Sequence, residues 1–344
     1  MPVKKIRVVV VDDSLVMREA IAMGLAADSG LEVVGKASDP YQARDMIVDL
    51  EPDVLTLDVE MPRMNGIDFL KLLMPQYPMP VVVVSSLSNI VFEAMNAGAV
   101  DFVAKPGARS QRELNAFIQE LVVKIKIASL AKVSHMKRPG TAQRIAGGSC
   151  CDKSIIAIGA STGGTEATLQ VLKAFPPDMP GIVIVQHMPP VFTRLYAERL
   201  NSICLMSVKE AEDGDVVAPG QAFVAPGDRQ MKIINDKGVY RIRCYQGEKV
   251  SGHCPSVDVL FDSVADAAKG HAIGVILTGM GADGAKGLMK MRKAGAFTIG
   301  QDEKTSVVYG MPMVAYNIGA VVRQAALDDI PAIIQEHMEK NGKK

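Results

Sequence analysis

Three residues far apart in the chain have the chemistry of an acyl-transfer site. Ser161 lies in Gly159-Ala-Ser-Thr-Gly-Gly164, a G-x-S-x-G turn whose flanking glycines permit a sharp bend that exposes the hydroxyl. His187 lies in Gln186-His-Met-Pro-Pro190, and Asp283 in Leu277-Thr-Gly-Met-Gly-Ala-Asp-Gly284. A serine hydroxyl needs a base to become a nucleophile, and an imidazole base needs a carboxylate to fix its tautomer. Taken singly, each residue has a plainer reading. Ser161 suits a helix N-cap, His187 a packed side chain, and Asp283 before Gly284 a turn or cap. Their joint placement just past strand ends favours the hydrolase. His253, in a Gly-His-Cys-Pro loop, and His271 are competing bases. His271 opens an apolar strand and reads as structural, whereas His253 could line the site.

A second constellation sits near the N-terminus. Asp12 and Asp13 follow one apolar run and Asp58 another, while Ser85 and Lys105 end two more. Clustered carboxylates repel unless a hard cation such as Mg²⁺ lies between them. A hydroxyl and an ammonium converging on the same point suit a phosphoryl group added to Asp58.

These residues can meet only if parallel sheets bring strand ends together. Continuous β-branched runs at Ile6–Val11, Leu31–Gly35, Val54–Leu57, Val81–Val84 and Asp101–Ala104 suit strands buried on both faces. Helical patterns such as Leu15–Ala27 and Gly66–Leu73 lie between them. Five such units predict an N-terminal doubly wound α/β domain with a five-stranded parallel sheet. A helix over about Arg112–Val133 then leads into a Gly-, Pro- and polar-rich stretch, Lys137 to Ser149, which reads as a linker. Strands resume at Ser154–Gly159, Gly181–Gln186, His271–Thr278 and Phe297–Gly300. Helices are expected near Thr165–Phe175, Phe192–Asn201, Ser256–Lys269 and Ala285–Ala294. This predicts a C-terminal doubly wound α/β sheet, with Ser207–Val250 as a β-hairpin insertion. The expected boundaries are residues 1–125, a linker over 126–152, and 153–344.

Composition removes other classes. Thirty-eight basic residues balance 38 acidic ones, so the basic excess of a nucleic-acid binder is missing. The five cysteines show no C-x-x-C spacing, which argues against a zinc site or a disulfide framework. No apolar run reaches the roughly 18 residues of a membrane helix. A cytoplasmic protein without membrane insertion is expected. The glycine turn at Ser161 also resembles the start of a dinucleotide fold, and Tyr245 and Lys249 have Tyr-x-x-x-Lys spacing. Thr165, however, replaces the final glycine of that turn. In chain order Ser, His, Asp, the trio also departs from the α/β-hydrolases.

Residues 4–125 resemble the receiver domains of two-component response regulators, which have a flavodoxin-like fold. The resemblance rests on Val11-Asp-Asp-Ser14, Leu57-Asp-Val-Glu-Met-Pro62 with Gly66, Val84-Ser-Ser86 and Ala104-Lys-Pro106. It implies that Asp58 is the phosphoacceptor and that Asp13, Asp58 and the Glu60 carbonyl hold Mg²⁺, with Asp12 nearby. It further implies that Ser85 and Lys105 touch the phosphoryl group and that Phe102 is the aromatic switch residue. Residues 153–341 resemble the catalytic domain of the chemotaxis protein-glutamate methylesterase/glutaminase family. The matching segments are Ile158 to Gly164, Val185 to Pro190, Pro255-Ser-Val-Asp258, Leu277 to Gly284 and Gln301 to Pro312. Cys254 stands where the family has a basic residue. The resemblance implies a Ser161, His187, Asp283 triad with the Met280 backbone N–H as oxyanion donor, and no cofactor for hydrolysis. The implied partners are a chemotaxis histidine kinase as phosphodonor and methyl-accepting chemoreceptors as substrate. Two other outputs stay open: a binding module with a vestigial hydrolase site, and a DNA-binding regulator.

Overall fold

The computed structural model describes residues 4–86, 90–107, 110–133 and 154–341. The chain divides into two compact units, Met1–Met136 and Lys137–Lys344. The expected linker stretch, Lys137 to Ser149, lies outside the described residues.

The first unit alternates β1 (Ile6–Val11), α1 (Leu15–Ala26), β2 (Leu31–Ala37), α2 (Pro40–Leu50), β3 (Val54–Asp58), α3 (Gly66–Gln76), β4 (Val81–Ser85), α4 (Val91–Asn96), β5 (Asp101–Ala104) and α5 (Gln111–Ala128). The five strands are parallel in the order β2-β1-β3-β4-β5. Val8 to Val10 and Val81 to Val83 are fully buried, as expected for strands covered by helices on both faces. α1 starts where the Ser14 hydroxyl accepts the Met17 N–H, and α2 where Asp39 accepts the Tyr41 and Gln42 N–H groups; these are the N-cap bonds that short polar residues make best. β3 extends through Asp58 and β4 through Ser85, so these side chains belong to the last strand residues. α5 ends at Ala128 instead of about Val133. α4 is the short helix, six residues long, of the unit between the fourth and fifth strands.

The second unit contains β6 (Ile155–Ala160), α6 (Gly164–Ala174), β7 (Gly181–Gln186), α7 (Phe192–Ile203), β8 (Ser207–Glu210), β9 (Gln221–Val224), β10 (Gln230–Asp236), β11 (Val239–Tyr245), α8 (Val257–Ala268), β12 (Ala272–Ile276), α9 (Ala285–Lys293), β13 (Phe297–Gln301), α10 (Met311–Asn317), β14 (Arg323–Ala325) and α11 (Ile330–Asn341). Seven of these strands form one parallel sheet, β14-β13-β12-β6-β7-β9-β8. The expected hairpin insertion is therefore half right. β10 and β11 pair as an antiparallel hairpin outside the sheet, but β8 and β9 extend the sheet beyond β7. Short strands in a turn-rich segment look alike whether they pair with each other or with a sheet edge, because that choice depends on distant partners.

The hairpin rests on α8. The Ile233 N–H donates to Ser263 Oγ at 2.9 Å, and Met231, Ile233 and Ile242 share a core with Leu260, Phe261 and Val264 of that helix. α8 in turn lies hard against β6. A side-chain carbon at Gly159 would fall 2.2 Å from Val257 Cγ1, so only glycine permits this approach. Gly159→Ala should therefore destabilise the second unit by about 1–3 kcal/mol through overpacking; urea unfolding of the full chain, compared with wild type, checks this.

Candidate functional site

β6 lies at the centre of the seven-stranded sheet, with β7 on one side and β12 on the other. The chain leaves β6 for β7 and later returns to β12, so the crevice at the carboxyl ends of β6 and β12 is a topological switch point. Ser161, His187 and the Leu277–Asp283 loop follow those three strands. Ala160 pairs with Gln186, and Gly159 with Ile276, so the register places the candidate residues side by side.

The Ser161 turn is held by its backbone. Its N–H donates to the Thr278 carbonyl at 3.0 Å, and its carbonyl accepts from Gly164 at 2.7 Å and from Gln186 Nε2 at 2.8 Å. Gly163 adopts φ 76° at the start of α6, the left-handed conformation that glycine adopts without strain. The loop after β12 packs directly on the serine: a side-chain carbon at Gly279 would lie 2.7 Å from Ser161 Cβ. Gly279 is itself fixed. Its N–H donates to Val308, and its carbonyl accepts from Gly310 and Met311. Thr278 is braced by Gln301, whose Oε1 accepts the Thr278 N–H at 2.8 Å. The next N–H in this rigid stretch, that of Met280, donates to no acceptor among the described residues.

His187 Nε2 meets Asp283 Oδ2 at 2.8 Å. The carboxylate can only accept, which assigns the imidazole proton to Nε2 and leaves Nδ1 with its lone pair. Nδ1 is buried and has no hydrogen-bond partner. The serine is half-buried, and its hydroxyl makes no hydrogen bond among the described residues. The structure thus joins His187 to Asp283 and brings Ser161 to the same strand ends, without closing the serine–histidine bond.

Asp283 is almost wholly buried and is saturated with donors. Oδ1 accepts from Ser256 Oγ at 2.7 Å and the Asp258 N–H at 3.0 Å; Oδ2 accepts from the Val257 N–H at 2.8 Å as well as from His187. The donors Val257 and Asp258 form the first turn of α8, so Asp283 closes the free N–H groups of a helix other than its own. Burial pushes its pKa up, but the bond and charge of His187, with the Asp258 N–H and Ser256, outweigh it and hold the carboxyl below its usual value. Sequence reasoning did not find this use of Ser256. A serine before a helix reads as an N-cap, yet here its hydroxyl is spent on Asp283. His253, left open as a site residue, stacks on His187 with ring centroids 3.6 Å apart and planes 5° from parallel.

In the first unit Asp12, Asp13 and Asp58 each present a carboxylate oxygen, all within 4.8 Å of one another. Asp12 and Asp58 are buried and Asp13 is exposed. Lys105 Nζ reaches Asp58 Oδ2 at 2.6 Å and Asp12 Oδ2 at 2.9 Å. The Glu60 N–H donates to Asp58 Oδ1 at 3.1 Å, and the Glu60 carboxylate accepts from Ser86 Oγ. Ser85 is buried at the end of β4, where its carbonyl accepts the Lys105 N–H. Burial, reinforced by the neighbouring Asp12 charge, pushes the Asp58 carboxyl above its ordinary value although Lys105 opposes it. The two carboxylates hold the Lys105 ammonium in its charged form against the effect of burial. Phe102 takes a different place: its buried ring lies under the Lys124 ammonium of α5, 5.0 Å from the ring centre, and Lys124 pairs with Asp101 at 2.6 Å.

Two family models match the chain: CheB methylesterase over residues 156–334, and response regulator receiver domain over residues 8–119. The chain belongs to the CheB methylesterase family. A relative from Syntrophomonas wolfei subsp. wolfei, named protein-glutamate methylesterase/protein-glutamine glutaminase 2, is 56% identical over 332 residues, covering 96% of this chain and 97% of that protein. The protein-glutamate methylesterase/protein-glutamine glutaminase of Salmonella typhimurium is 47% identical over 341 residues, 98% of this chain and 97% of that one. Among solved structures, the Thermotoga maritima CheB methylesterase catalytic domain aligns with a TM-score of 0.52 at 38% identity, covering 53% of this chain and 97% of its own.

The depressed pKa of Asp283 has a stability consequence of definite sign. An aspartate that ionises more easily when folded stabilises the fold fully above its unfolded pKa of about 3.9, and that contribution is lost as pH falls through the lower folded value. Asp283→Asn should cost roughly 2–4 kcal/mol at neutral pH. Unfolding measured at several pH values should show the gap between the two proteins narrowing below about pH 4.

Proposed function

We propose that this chain hydrolyses glutamate γ-methyl esters and deamidates glutamines on chemoreceptors, using Ser161 as nucleophile, His187 as base and Asp283 as the group that orients it. The observation that carries this reading is the buried Asp283–His187 pair beside a serine on the neighbouring strand end. Ser161 Oγ attacks the side-chain carbonyl carbon while His187 Nδ1 takes its proton. The developing oxyanion is received by the unpartnered Met280 N–H, a preorganised donor that needs no reorganisation at the moment of reaction. Collapse breaks the ester C–O bond, and Nδ1 returns its proton to methanol. Water then attacks the acyl-enzyme with Nδ1 again as base, releasing the glutamate and restoring Ser161. With glutamine the same steps release ammonia. Asp283, ionised and fully bonded, stabilises the imidazolium. No step requires a cofactor.

The first unit then acts as a phosphorylation switch. Asp58 receives a phosphoryl group from a chemotaxis histidine kinase, with Ser85 and Lys105 contacting it and Phe102 relaying the change. Asp13, Asp58 and the Glu60 carbonyl, with Asp12 beside them, would hold Mg²⁺. The cluster's hard oxygen donors fit that ion, since three carboxylates meet there and Lys105 pairs with only Asp12 and Asp58. When bound, Mg²⁺ neutralises charge on the incoming phosphoryl group. Balanced charge, the absence among the described residues of a helix long and apolar enough to cross a membrane, and a substrate on the inner part of the receptors agree with a cytoplasmic location.

Two measurements test the reading. Ser161→Ala should lower methanol release from methylated receptors by about 10⁴-fold or more with an unchanged unfolding midpoint; near-normal turnover would place the nucleophile elsewhere. An acyl-phosphate donor with Mg²⁺ should raise methanol release several-fold in wild type. Asp58→Asn and chelation of Mg²⁺ should each abolish both the labelling and the rise, and stable labelling of the Asn variant would move the acceptor.

A further inference from the structure

We infer that His253 is a positioning residue for His187: its imidazole fixes the plane of the catalytic ring, so that Nε2 stays on Asp283 and Nδ1 stays available for the Ser161 proton. This rests on the reading of His187 as the base. A single hydrogen bond at Nε2 fixes one ring atom and leaves the ring free to swing about it. A flat partner 3.6 Å away and 5° from parallel removes that freedom. Proton transfer from serine depends on the direction of the Nδ1 lone pair, so the wall acts on the chemical step.

The partner also has to be neutral. When His187 takes up the serine proton it becomes a cation, and a charged neighbour at stacking distance would oppose it. Burial first, and then the facing charge of His187, push His253 down to about 4; Asp283 pulls the other way and Lys249 adds to the lowering. At neutral pH His253 is an uncharged ring.

The loop that carries it is built to hold still. Val250 and His253 exchange backbone hydrogen bonds at 3.0 and 2.9 Å. Gln230, the buried first residue of β10, donates through Nε2 to the Glu248 carbonyl at 2.9 Å and the His253 carbonyl at 3.3 Å, and its Oε1 accepts the Ser256 N–H at 2.9 Å. One buried amide thus brackets both ends of the loop. Ser251 Oγ donates to Asp258 Oδ2 at 3.1 Å, and the other oxygen of Asp258 accepts the Gly287 N–H of α9 at 2.8 Å. The His253 loop and Asp283 are therefore fastened to the same first turn of α8. The antiparallel hairpin, which stands outside the parallel sheet, acquires a role: its base supplies Gln230.

The experiment compares wild type, His253→Ala and His253→Phe as full chains. Each is assayed for methanol release, for its unfolding midpoint, and for the tautomer of His187 by ¹⁵N NMR of the histidine rings. His253→Ala should lower kcat about 10–100-fold, the scale of a misplaced reacting group, with KM changed less than about threefold. Its His187 signals should move from one Nε2–H tautomer toward an average. His253→Phe, flat and neutral but without nitrogens, should recover most of kcat and the single tautomer. Three results would each overturn the inference. His253→Ala could match wild type in rate and tautomer. His253→Phe could be as slow as His253→Ala at an unchanged midpoint, which would make His253 a proton carrier. Or both variants could lose rate only in step with their midpoints, which would make it merely structural. If wild type itself releases no methanol, the hydrolase reading fails, and the tautomer comparison still decides what His253 does to His187.

Discussion

The Asp283 carboxylate is the contact around which the second unit is arranged. Two backbone N–H groups, a serine hydroxyl and an imidazole nitrogen converge on its two oxygens. A buried carboxylate without partners carries a desolvation cost that would drive it to the neutral form. Here the start of α8 supplies donors that the helix must in any case satisfy, and α8 supplies them only because glycine at 159 lets it lie against β6. One arrangement caps a helix, keeps the aspartate ionised and selects the histidine tautomer. Stability and chemistry therefore share the same four bonds.

The serine side obeys a complementary constraint. The backbone N–H and carbonyl groups of Ser161 and Gly279 are all committed to partners, whereas the Met280 N–H donates to no acceptor among the described residues. In the proposed reaction a donor held by a braced loop would need little reorganisation as an oxyanion forms. In the first unit the balance is opposite. Three carboxylates meet there but Lys105 pairs with two of them, Asp12 and Asp58, and burial lifts the Asp58 carboxyl. That crevice is electrostatically unfinished in a way that the Asp283 crevice is not, which fits the proposed binding of a cation and a phosphoryl group there.

That Ser161, His187 and Asp283 meet at one sheet edge, and Asp12, Asp13, Asp58, Ser85 and Lys105 at the strand ends of the other sheet, was legible from the chain, as were most strands and helices. The reason is local. A run such as Val8–Val11 declares a strand covered on both faces, and in a parallel sheet residues just beyond such runs must share one edge. The type of a residue and its distance from the strand end are both written in the sequence. Other features depended on pairings between distant segments. β8 and β9 carry no local mark telling them to join β7, so the sequence alone reads as a hairpin throughout the insertion. Ser256 opens the expected helix Ser256–Lys269, yet its hydroxyl goes to a residue 27 positions away.

The same division holds at the base. From the amino-acid order alone came a carboxylate, an imidazole and a hydroxyl on neighbouring strand ends, because composition and period depend only on nearby residues. Which imidazole nitrogen faces the carboxylate, which N–H is left without a partner, and that a second imidazole lies flat on the first were settled by tertiary packing. Each is a matter of direction within a few ångströms, and direction is set by helices and loops that converge from far along the chain.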